Sequence, residues 1–152
     1  MPSYRKHKQI NLFLLPLFLS LAGGMKIPLS FLGLFSLAYL YSTFYMNPDM
    51  DVCNQIKLFS FRGLMTFPFR FYALFTKHRG LSHSFFLGTI LRCLYLIGFI
   101  ILILSLSQYI QIHSWNFSFL IKYRPELVTI FIGFLIADLV HILSDKTKKA
   151  IR

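Results

Sequence analysis

Ten side chains in this sequence carry the nitrogen and carboxylate donors that acid–base or metal chemistry needs. They are His7, His78, His83, His113, His141, Asp49, Asp51, Glu126, Asp138 and Asp145. Pro48-Asp49-Met50-Asp51 sets two carboxylates two residues apart after a rigid turn, a pattern that a plain helix stop explains as well. His78-Arg79-Gly80-Leu81-Ser82-His83 gathers two imidazoles around a glycine. Ser82 or Ser84 can cap a following helix, and that junction can aim both rings at one point. An exposed basic loop is the plain alternative. His141 and Asp145 are four apart and share a helix face, which Asp138 continues inward. Polar groups at a helix end that satisfy one another would look the same. His7, alone in a basic head, reads as a solvated side chain. Histidine mixed with aspartate is a donor set that metal coordination uses. Cys53 and Cys93 have no CxxC or Cys/His spacing, so the pattern indicates neither a disulfide framework nor a cysteine-based zinc site. The sequence contains no Ser-His-Asp order, HExxH, GxSxG or P-loop.

These groups must be positioned by a chain that is mostly apolar. Of 152 residues, 14% are charged and 56% hydrophobic, with 18 phenylalanines. An average soluble domain has about 25% charged residues. A chain this short has much surface to cover for its volume, so an ordinary soluble domain is excluded. The apolar mass also excludes disorder. A net charge of +11 suggests an anionic partner, and the apolar mass points to a bilayer. Basic and aromatic residues interleave over residues 55–76, a mixture that also occurs in single-strand nucleic-acid binding. In so apolar a chain no nucleic-acid partner is expected.

The expected fold is all-α: one transmembrane domain over residues 1–152 with about four spans. These fall at about 10–24, 27–45, 85–109 and 125–144. The first apolar run is short for a span, and after a basic head it also describes a signal peptide. A second apolar run starts almost at once, which favours a helical hairpin. Pro28 suits the first turn of the second span. Residues 55–76 read as an interfacial segment, with rings at headgroup level and Pro68 interrupting any helix. Pro125-Glu126 reads as a helix start.

The basic residues set the orientation. Arg5, Lys6, Lys8, Lys57, Arg62, Arg70, Lys77, Arg79, Lys146, Lys148, Lys149 and Arg152 fall on one side; Lys26, Lys122 and Arg124 fall on the other. Both termini are therefore expected in the cytoplasm, and the location expected is a bacterial inner membrane. By the same rule His7, Asp49, Asp51, His78, His83, His141 and Asp145 converge on the cytoplasmic face. Arg92 lies roughly 13 Å beyond His83 along a helix, and Asp138 roughly 10 Å before Asp145. At similar depth the two are expected to pair, since an unpaired charge there is costly.

The order Met1-Pro2-Ser3…His7, Pro48-Asp49-Met50-Asp51, His78 to Ser84 with Gly88-Thr89…Arg92, and His141-Ile142-Leu143-Ser144-Asp145 resembles the YdjM-like family. Its members are small integral membrane proteins described as metal-binding proteins or metal-dependent hydrolases. The likeness runs from residue 1 to about 145. Relatives often continue past the motif aspartate with an aromatic, where this chain has Lys146 and a basic tail. The resemblance implies His7, Asp49, Asp51, His78, His83, His141 and Asp145 as the metal positions. Without thiolates the cofactor would be a divalent metal, zinc or manganese first. Asp51 or Asp145 would serve as general base, and Arg79 would contact the phosphate of an anionic lipid or phosphoester substrate. The alternative is a non-catalytic membrane protein whose His/Asp cluster braces the helices.

Overall fold

The computed structural model describes residues 4–75, 84–106 and 118–150, with residues 4, 5, 51, 52, 55, 119 and 147–150 described by backbone alone. All regular structure among these residues is helical. Helix α1 covers Tyr4–Gly24, α2 Leu29–Tyr41, α3 Phe61–Met65 and α4 Pro68–Phe75. Helix α5 covers Phe85–Leu106, α6 Ser118–Lys122 and α7 Arg124–Ala150. Helix α7 is central: it packs chiefly on α2 and also on α1 and α5. The crossing with α2 is close because position 133 is glycine. A Cβ there would sit 2.9 Å from Phe35 O and 3.2 Å from Tyr39 N, so only a residue without a side chain lets the backbones approach this far.

The structure revises three boundaries. The basic head is not separate from the first span, because α1 already begins at Tyr4. Lysine and arginine are good helix formers, so nothing in this stretch delays the helix. The α1–α2 turn is closed by Lys26 rather than by Gly23 or Gly24. Lys26 adopts φ 56°, its N–H donates to Gly23 O at 3.0 Å, and the Ile27 N–H donates to Ala22 O at 3.4 Å. These two bonds form a Schellman cap with a lysine in the left-handed position, which glycine usually fills. Pro68 does not merely interrupt a helix: it opens α4, where its missing N–H costs no bond.

After Tyr41, α2 widens into a π-helical turn, Ser42–Met46, and a 3-10 helix follows at Pro48–Gln55. The π turn buries Ser42, Thr43 and Met46. Met46, Met50, Cys53, Phe69 and Tyr72 form a core between the 3-10 helix and α4, flanked by Tyr95 and Phe134. Tyr95 Oη donates to Pro68 O at 2.5 Å, and the Arg70 guanidinium donates to Ile56 O. The aromatic segment is thus folded against the bundle, while Phe59, Phe61, Leu74 and Phe75 remain outward.

Among the described residues, three stretches are long and apolar enough to cross a membrane: Leu29–Met50, Phe85–Leu106 and Arg124–Lys146. Helix α1 has 21 residues, but its first turns carry Lys6 and Lys8.

Candidate metal centre

Three elements bring donors to one end of the bundle. Helix α1 contributes His7 and helix α7 contributes His141, Ser144 and Asp145. The turn after the π segment contributes Asp49, held by Asn47. Asn47 Oδ1 accepts from the Asp49 N–H at 3.2 Å, and Asn47 Nδ2 donates to Thr43 O at 3.2 Å. This side-chain cap starts the 3-10 helix and fixes where the Asp49 backbone sits.

The two imidazoles stack, with ring centroids 4.3 Å apart. Asp145 lies between them in function: Oδ1 is 3.3 Å from His7 Nε2 and Oδ2 is 4.0 Å from His141 Nε2. Asp49 Oδ2 is 3.4 Å from His141 Nε2 on the other side. Donor atoms of His7, His141 and Asp145 all lie within 4.8 Å of one another. The histidines are 4% and 2% exposed and the carboxylates 24% and 26%, so the rings are sunk and the carboxylates are partly open to the surface. The hydroxyl of Ser144 meets His7 Nδ1 and donates to His141 O at 2.7 Å.

One turn further in, the polar groups largely satisfy one another. Asn11, four residues after His7, donates to Thr43 Oγ1 at 3.0 Å and Ala137 O at 3.3 Å. Tyr39 Oη donates to Asn11 O at 3.1 Å. Asp138 accepts from Ser42 at 2.9 Å, from Thr89 at 2.5 Å and from the Arg92 guanidinium. Arg92 and Asp138 are both fully buried. The short hydroxyl contact and the ion pair are charge-assisted bonds.

Of the residues singled out in the sequence, the structure therefore gathers His7, Asp49, His141 and Asp145, and pairs Arg92 with Asp138 beneath them. His78, Arg79, His83 and His113 lie outside the described residues. Asp51 falls on the 3-10 helix, with its side chain outside the description. Glu126 opens the opposite end of α7, 19 residues from Asp145 and roughly 28 Å away along the helix. Sequence reasoning gave no role to Ser42, Thr89, Asn11 or Ser144. For Asn11 and Ser144 the available signal was a polar residue at helical spacing from a histidine, four after His7 and three after His141; Ser42 and Thr89 offered only a hydroxyl inside an apolar run.

The donor set fits a divalent cation. An ion with ligands at about 2.0–2.2 Å in tetrahedral array sets neighbouring donors about 3.3–3.6 Å apart. His7–Asp145 and His141–Asp49 have that spacing at 3.3 and 3.4 Å, and His141–Asp145 is wider at 4.0 Å. The charges also suit a cation: Arg92 pairs with Asp138 deeper in, and Asp49 and Asp145 bring two carboxylates to the centre itself.

Fold and site together define an all-helical protein with membrane-length apolar helices and a His/Asp centre suited to a metal ion at one end. The chain belongs to the family described as "Uncharacterized metal-binding protein (DUF2227)", which matches residues 2–152. It is also similar to an "Uncharacterized protein" of Aquifex aeolicus (strain VF5), 34% identical over 74 residues, which are 47% of this chain and 50% of that one. The chain thus spans about half the length of that relative. No solved structure matches significantly.

Proposed function

We propose that this is a multi-pass membrane protein that holds one divalent metal ion between His7, His141, Asp145 and Asp49 and uses it in hydrolysis. The observation that carries the metal reading is the convergence of two sunken histidine Nε2 atoms on the carboxylates of Asp145 and Asp49 at ligand spacing. A neutral imidazole nitrogen and a carboxylate oxygen are both acceptors, and a cation between them turns their repulsion into attraction. Zinc or manganese suits this nitrogen and oxygen set. Bound there, the ion would lower the pKa of a water and polarise a phosphoryl or acyl oxygen.

The membrane reading is supported by outward apolar side chains along α5, among them Leu94, Ile97, Leu102 and Leu106. We assign a single transmembrane domain in which α1 joins the three longer apolar stretches as a fourth span. The basic residues favour cytoplasmic termini and a bacterial inner membrane. On the YdjM-like resemblance, His78, His83 and Asp51 complete the ligands or support them. Asp51 or Asp145 acts as general base, and Arg79 binds the phosphate of a phosphoester or lipid-linked substrate.

Metal analysis of the detergent-purified protein tests this reading. We expect stoichiometric metal in the wild type and none in His7→Ala/His141→Ala. Wild-type protein without metal after zinc or manganese loading sinks it. Hydrolysis assays on phospholipids and generic phosphodiesters then divide the enzyme from a second reading, in which the centre only braces the helices. That second reading is favoured by one observation: the cluster ties α1 to α7 through side chains alone.

A further inference from the structure

We infer that Ser144 is a positioning residue that fixes the tautomer of His7 and so aims its Nε2 lone pair into the centre; this rests on the metal reading above. The argument is a proton count. A serine hydroxyl has one proton and two lone pairs. Ser144 Oγ lies 2.7 Å from His141 O, an atom that can only accept. The hydroxyl proton therefore points to His141 O, because two oxygens at that distance without a proton between them repel. Ser144 Oγ then presents a lone pair to His7 Nδ1. Contact between those atoms requires the proton to be on Nδ1. With Nδ1–H committed, the neutral ring carries its lone pair on Nε2, 3.3 Å from Asp145 Oδ1. The opposite tautomer breaks one of the two Ser144 contacts.

One hydroxyl thus serves both histidines. It holds the ring of His7 and is anchored on the backbone of His141, one turn from Asp145 on the same helix. The ring of His7 is 4% exposed, so water does not compete freely for Nδ1. This is the kind of outer contact that orients metal-binding histidines elsewhere, with a carboxylate or carbonyl more often in the serine's place. Its role is to hold the ring of His7, with its proton on His141 O and a lone pair on His7 Nδ1.

The experiment uses the full chain in detergent micelles with ¹⁵N-labelled histidine, as wild type, Ser144→Ala and Ser144→Thr. Metal-free protein is examined by NMR under conditions where the ring is neutral, and zinc binding is titrated in parallel. We expect wild-type His7 to show a single Nδ1–H tautomer. Ser144→Ala mixes the tautomers and weakens zinc binding roughly 10–100-fold. Ser144→Thr, which keeps the hydroxyl, restores both. A wild-type His7 protonated on Nε2 overturns the inference without recourse to any variant. So does a folded Ser144→Ala protein with unchanged tautomer and unchanged affinity, while leaving the metal reading intact. If His7 shows the Nδ1–H form and no protein binds zinc or manganese, the metal reading falls and the hold of Ser144 on His7 stands.

Discussion

Two polar regions lie about two helical turns apart along α7, and they solve the same electrostatic problem differently. The deeper one, around Asp138, is closed. Both of its carboxylate oxygens have donors, from Ser42 on one side and from Thr89 and Arg92 on the other, and its charges cancel. The outer one, around Asp145, is open. Two carboxylates face two histidines, all of them partly or wholly removed from water, so acceptor atoms converge on one point. A pair whose charges cancel internally behaves as structure, and a site of converging imidazole and carboxylate lone pairs behaves as a receptor. The difference predicts that the inner region responds to mutation whether or not metal is supplied, and that the outer one responds chiefly when it is.

The largest effect is expected from breaking the inner pair. Asp138→Asn leaves Arg92 charged and buried without its counter-charge, which costs about 3–5 kcal/mol for a pair of this kind. Arg92→Gln should cost a similar amount. The double variant should lose clearly less than the two single losses added together, because neither charge is then orphaned. Thermal unfolding in detergent measures all three. Strict additivity would mean that the two side chains do not support each other.

The next effect belongs to the outer region and appears only with metal. Zinc at about 100 times its Kd should stabilise the wild type by about 2.7 kcal/mol, visible as a rise in Tm. Chelator should reverse it. Asp145→Asn should abolish the rise while changing the metal-free Tm little. A large metal-free loss in Asp145→Asn would erase the contrast between the two regions.

Much of the contrast can be read in the sequence, and the unread part has identifiable causes. Ionisable residues are so scarce in this chain that their spacing carries information. Asp138, His141 and Asp145 share one face of α7 by simple helical arithmetic, and Arg92 and Asp138 sit at matching depths. His7 was harder. Its neighbours Arg5, Lys6 and Lys8 give the look of a solvated head, and composition alone cannot show that the helix starts at Tyr4. Once it does, Lys6 stays exposed, Lys8 lies over the Phe44 ring and His7 turns inward, one turn from Asn11. The π-helical turn was not legible either. It depends on an extra residue accommodated in packing, not on local propensity, and it puts both Ser42 and Thr43 inside. Ser144 was visible in the sequence, but only the direction of its proton gives it a role.

Ser42→Ala sharpens the inner half of the comparison. It removes the donor on Asp138 Oδ1 and leaves Thr89 and Arg92 on Oδ2. Loss of one hydrogen bond to a charged group costs about 1.5 kcal/mol at the low end of its range. The loss should be equal with and without zinc. A loss that appears only with zinc would connect Asp138 to the metal and dissolve the boundary between the two regions.

The smallest effect is a control on the scaffold that both regions share. Lys26 ends α1 in the left-handed conformation, at φ 56°, at the end of α1 away from His7. A residue with a Cβ pays about 1 kcal/mol or more for that conformation, and glycine does not. Part of the gain is returned because glycine has more freedom to lose in the unfolded chain. Lys26→Gly should therefore raise stability by a few tenths to about 1 kcal/mol, with zinc affinity unchanged. Its effect should add to that of Ser42→Ala, since the two sites share no partner. If Lys26→Gly shifts zinc affinity, the α1–α2 hairpin sets the position of His7. The outer centre is then tuned from the far end of the helix and not by its local contacts alone.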